Sequence, residues 1–185
     1  MNDKSVSIII KKHLYSHEAE LKLEDWKNQF HHNYVKMLLA MALNHCTENS
    51  DLVINGYLIT NKILYLITKT NDKNFDSSLK KIENHIYFLL ENHTKELKTI
   101  DRYSFETHEE KLYFIRKPLF KMYPLKNEHL IQLLTGKKIT LPYFDRKLED
   151  LKLLIRNHPF CSAVDYSGAL GPVEVTLLVN DSITF

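Results

Sequence analysis

GYLITNKILYLI, residues 56–67, consists of two apolar runs hinged on Thr60-Asn61-Lys62. Residues 52–58 and 63–68 are rich in β-branched and aromatic side chains, and two such runs around a short polar turn predict a β-hairpin. What surrounds that hairpin decides the fold.

Before it, residues 23–46 carry Trp26, Phe30, Tyr34, Met37, Leu38, Met41 and His45 at spacings of three and four, which predicts an amphipathic helix ending in the polar cluster CTENSD. After it, KTNDKNFDSS supplies helix N-cap candidates. Phe75, Leu79, Ile82, Ile86, Leu89, Leu90, His93 and Leu97 then repeat with helical period. Residues 5–12, SVSIIIKK, read as a strand joined to the first helix by a polar turn. Strand, helix, strand, strand, helix is most of a ferredoxin-like α+β plait, an antiparallel sheet with two long helices on one face. Past residue 101 the pattern predicts a strand in KLYFIRKPLF, short helices over 127–134 and 146–157, the latter closed by His158-Pro159, and a last strand in VEVTLLV, residues 173–179.

At 185 residues the chain fits a single domain, 1–185, with 44% hydrophobic and 26% charged residues and only 4 Gly and 5 Pro to spend on linkers. The formal net charge is +2, so no overall field announces a polyanionic partner and any such contact must be local. Cys46 and Cys161 form no Cys-x-x-Cys pattern; they read as buried, reduced thiols rather than a zinc site or a disulfide. No signal-peptide core and no apolar run of roughly 18 residues is found, so a cytoplasmic location without membrane contact is expected, and the sequons at Asn92 and Asn180 would go unmodified. Gly-x-Ser-x-Gly, His-Glu-x-x-His and Gly-x-Gly-x-x-Gly are absent, which removes the usual footholds for hydrolase, zincin and dinucleotide-binding readings.

The hairpin resembles that of the REP-associated tyrosine transposases, a branch of the single-tyrosine HUH nucleases, whose strand-turn-strand has the form GYxxMPNHxHLLV. Gly56, Tyr57 and Asn61 match, as does the apolar character of Ile63, Leu66 and Ile67. The family also has a long helix on each side of the hairpin. Its Pro-Trp-Ser-Ser-Tyr-like segment after the last helix resembles HPFCSAVDYSG, residues 158–168. The likeness runs over residues 5–170 and implies DNA binding, a role in DNA transposition and a homodimer.

The chain departs from the family at the chemistry. In the family two histidines bind a divalent metal that polarises the scissile phosphate for attack by a tyrosine. The aligned positions here are Lys62 and Leu64. Leucine has no ligand atom, and a lysine cation repels the metal. Counting back from Pro159 to the nucleophile's place reaches Leu133 and Leu134; Tyr123 and Tyr143, the nearest tyrosines, each adjoin a proline and read as loop residues. The resemblance therefore implies a chain that keeps the fold without strand cleavage, with no catalytic residue, no metal and no cofactor assigned.

Other candidates compete with blander readings. His13 and His17 would share a helix face but lie at a strand end, where they read as a solvated turn. His31 and His32 point about 100° apart on a helix, one toward the core edge and one toward water. His45 and His85 read as satisfied buried histidines. Gly136-Lys137-Lys138 reads as a helix end with a basic turn rather than a phosphate loop. The run Arg116, Lys117, Lys121 and Lys126, interleaved with Phe114, Phe120, Met122 and Tyr123, suits either single-stranded nucleic acid or a solvated face over core aromatics. Under the transposase-like reading Lys62, Lys69, Arg116, Lys117 and Lys121 are the candidate phosphate contacts, for single-stranded or hairpin DNA. Two alternatives stay open: a non-catalytic dimerisation or protein-interaction module, and an active metal-dependent nuclease with a relocated site.

Overall fold

The structure, a computed structural model, describes residues 15–100 and 118–178, with the backbone alone over 93–100. Its first strand, β1, is Tyr15–Leu23, in the stretch expected to be a polar turn; the expected strand at 5–12 lies outside the described residues. In YSHEAELKL, Ala19, Leu21 and Leu23 are buried while Glu18 and Lys22 face water. The period of two is therefore present, but charged residues thin the hydrophobic density that marks a strand in sequence.

A short 3-10 turn, Asp25–Gln29, follows and carries Trp26, whose indole N–H donates to Leu119 O at 2.9 Å. Helix α1, His32–Asn49, thus begins nine residues later than expected. It buries Val35, Leu38, Leu39, Ala42, Leu43 and Cys46. Met37 and Met41, expected inside, are about half exposed, because the stripe that includes the aromatics of the preceding turn is rotated from the one α1 buries.

The hairpin forms where expected: strand β2 is Val53–Ile59 and strand β3 is Ile63–Thr70. Thr60 closes the turn, since its hydroxyl accepts from the N–H of Ile63 at 3.0 Å and its own N–H donates to Ile63 O at 2.9 Å. Helix α2, Asp76–Ile100, matches the second periodic segment. Strand β4, Phe120–Pro124, occupies the end of the KLYFIRKPLF segment and the residues just beyond it, and residues 111–117 lie outside the description. Tyr123 is therefore a strand residue, not the loop residue expected from its proline; Tyr143 does lie in a loop.

The four strands pair antiparallel in the order β2-β3-β1-β4, a sheet assembled with helices into a mixed α+β fold. One face is closed by α1 and α2 around Leu21, Leu23, Tyr57, Ile59, Leu64 and Leu66. On the other face, helices α3 (Glu128–Leu134), α4 (Arg146–Arg156) and α5 (Ala163–Tyr166) build a second, smaller core with Leu58, Ile67, Leu130, Leu134, Ile155 and Cys161. Helices α3 and α4 match expectation, and each is capped by its N-cap side chain, Asn127 and Asp145. The basic turn after α3 is a Schellman motif: Gly136 has φ 74° and the N–H of Lys137 reaches back to Gln132 O at 2.9 Å. Residues 173–178, expected as a strand, are not one; Thr176 bonds Ile54 O, and Asn55 Nδ2 bonds Thr176 O, at a bulge in β2 that interrupts ladder pairing. Among the described residues no helix is long and apolar enough to cross a membrane.

Candidate nucleic-acid interface

The segments that carry the family resemblance lie far apart in sequence and meet in space. The N–H of Ile59 donates to Phe160 O and that of Ser162 to Tyr57 O, both at 2.9 Å, so residues 160–162 run beside β2. Ser162 is fully buried there; its hydroxyl accepts from the N–H of Tyr57 at 3.0 Å and donates to Leu134 O at 2.7 Å. Gly56 allows this approach, because a Cβ at that position would stand 2.8 Å from the same Leu134 carbonyl oxygen. The Tyr166 hydroxyl donates to the Asn55 carbonyl at 2.9 Å. Sequence reading placed no role on Asn55, Ser162 or Tyr166, since no periodicity marks a residue used for one junction.

The hairpin turn lies at the end of β1. Lys62 O accepts from the N–H of Leu23 at 2.9 Å, which holds the turn beside Lys22. Lys22 pairs across β1–β4 with Lys121, and both project from the face opposite α1 and α2. Two like charges directly opposite on adjacent strands repel one another, which leaves local positive potential for an anion to neutralise. Glu24 offsets Lys121 at 3.3 Å; among the described residues Lys22 and Lys62 have no carboxylate partner. The next row of the same face is Tyr123, Glu20 and Tyr65, with Tyr123 47% exposed. Burial, and after it Glu20, pushes the Tyr65 phenol pKa up, so that phenol stays a neutral hydrogen-bonding group.

Of the five expected phosphate contacts, the fold brings Lys62 and Lys121 to one end of the sheet and adds Lys22, which sequence reading missed because its strand was read as a turn. Lys69 is not with them. It pairs with Ser16 and Val53 at the far end of β3, roughly 20 Å from the turn at about 3.3 Å per residue. Arg116 and Lys117 lie outside the described residues.

The two positions aligned with metal ligands do not converge on a surface. Lys62 is exposed, whereas Leu64 is 0% exposed within the apolar core beneath α1 and α2. Among the described residues no group of three or more His, Cys, Asp or Glu side chains could hold a metal ion. The histidines also differ from expectation: His31 and His32 are both exposed. His45 and His85 stack face to face at 3.7 Å between α1 and α2, with His45 exposed rather than buried.

A scan against protein-family models and searches of curated proteins and of solved structures return no match to this chain.

Proposed function

We propose that this protein is a DNA-binding protein of the REP-associated tyrosine transposase type that does not cleave its strand. A β-α-β-β-α-β order with a β2-β3-β1-β4 sheet supports a ferredoxin-like plait as the frame of this reading. The observation that carries the reading is the junction of Gly56-Tyr57 with residues 160–162, because both stretches that resemble the family are spent on one shared contact. Loss of cleavage follows from Leu64, whose side chain offers no lone pair and occupies core volume. Phosphates are held by Lys22, Lys62 and Lys121, with Tyr123 beside them as a surface for an unpaired base.

Fluorescence anisotropy with single-stranded and hairpin DNA tests this. Binding is expected at about 50 mM salt, with affinity falling linearly in log-log form as salt rises, a slope reduced by about one for each of Lys22→Glu, Lys62→Glu and Lys121→Glu, and unchanged by Lys69→Glu. Absence of binding at low salt, or indifference to all three reversals, ends the proposal. A stable dimer in light scattering that also ignores DNA would instead favour a protein-interaction module.

A further inference from the structure

A cleft of about 730 Å³ opens between α3, α4 and α5, away from the residues proposed to hold phosphates. Its volume is that of a small-molecule site, and its lining is divided by chemistry. Leu133, Leu153 and Val164 supply an apolar wall, with Leu153 61% exposed. Lys137, Lys152 and Arg156 supply three cations. Lys152 is held by Glu149 at 2.8 Å; among the described residues Lys137 and Arg156 have no carboxylate partner.

The aromatic member of the lining is fixed in place. The Tyr166 hydroxyl donates to Asn55 O at 2.9 Å and accepts from the N–H of Leu178 at 3.1 Å, so the ring cannot swing away. The basic turn is pressed onto that ring: a Cβ at Gly136 would lie 2.2 Å from Tyr166 Cδ1. Glycine at this left-handed position thus brings Lys137 beside a rigid ring. A flat apolar body bearing an anion matches a lining that sets Leu133, Leu153, Val164 and the Tyr166 ring beside Lys137 and Arg156.

We propose that the cleft binds a nucleoside phosphate, free or as the end of a nucleic-acid strand, with its base against Leu153 and the Tyr166 ring and its phosphate between Lys137 and Arg156. This extends the nucleic-acid reading but is tested apart from it. Calorimetric titration of the full chain with deoxyadenosine monophosphate should give saturable binding, with deoxyadenosine at least tenfold weaker. Lys137→Glu and Arg156→Glu should each weaken it at least tenfold at an unchanged melting temperature, and Lys137→Ala should weaken it less. Leu153→Glu should weaken it through the base wall, whereas Lys69→Glu should leave it unaltered. Competition by a 5′-phosphorylated oligonucleotide assigns the ligand to a strand end, and its absence assigns it to the free nucleotide. No saturable binding of the monophosphate, equal binding of the nucleoside, or indifference to both charge reversals overturns the proposal, whatever the outcome of the Lys22, Lys62 and Lys121 variants on DNA.

Discussion

Ser162 joins three parts of the chain through one hydroxyl, so its loss is felt at two backbone groups rather than at one. Ser162→Ala leaves the Tyr57 N–H and the Leu134 carbonyl without that partner inside a dry junction. An unpaired buried polar group costs about 1–3 kcal/mol, so the variant should lose about 2 kcal/mol or more, read as a lower urea midpoint with an unchanged slope. Gly136→Ala acts through two causes, a left-handed backbone worth roughly 1–2 kcal/mol and a collision with the Tyr166 ring. With the ring held by its two hydrogen bonds it should destabilise by more than Ser162→Ala, as circular dichroism melts of the pair would show. Neither site was legible in sequence as more than a serine and a turn glycine, because what each touches lies 28 residues or more away, as Ser162 does from Leu134.

At the scale of elements, the hairpin, α2, α3 and α4 were legible because each carries its own signal: a polar turn between β-branched runs, a helical period, or an Asn or Asp cap. Removing one such signal has a local cost. Asp145→Ala strips the cap that accepts from the N–H groups of Lys147 and Leu148, and should cost about 1 kcal/mol in a denaturant titration. Introducing a His-x-His pair at the hairpin turn should fail for the opposite reason. Lys62→His with Leu64→His places an imidazole in the core under α1 and α2, so the double variant should be clearly less stable and should not be stabilised by Mn²⁺ in a thermal melt. Strand β1 and the residue 173–178 segment were misread because charges interrupt the first and a bulge at Asn55 diverts the second from the ladder.

Over the whole molecule, two helix layers enclose the sheet and bury several titratable groups, which ties stability to pH at both ends. The His85 pKa is lowered by burial and then by His45, and that of His158 by burial and then by Lys36. A base whose folded pKa is depressed takes up its proton more readily when unfolded, so this stability is present above the ordinary value of 6.5 and is lost as pH falls below it. The urea midpoint should therefore be lower at about pH 5.5 than at about pH 7.5, and the difference should shrink in a His45→Ala, His85→Ala double variant. Burial pushes the Cys46 and Cys161 thiols from 9.0 up to about 11. Here the folded value is the higher one, so stability is intact at neutral pH and falls between 9 and about 11. Both thiols should also react slowly with a thiol reagent until the chain is unfolded.

What the sequence alone determined was the hairpin, the helices α2, α3 and α4, and the absence of a ligand atom on the Leu64 side chain, since turns, caps, periodicity and side-chain chemistry are properties of neighbouring residues. Only the tertiary structure decided which lysines lie together, joining Lys22 to Lys62 and Lys121 and separating Lys69, and only it brought Gly56, Leu134 and Ser162 to one point. The reason is that strand register and the packing of helices on both sheet faces are set by contacts between distant segments, which no local pattern records.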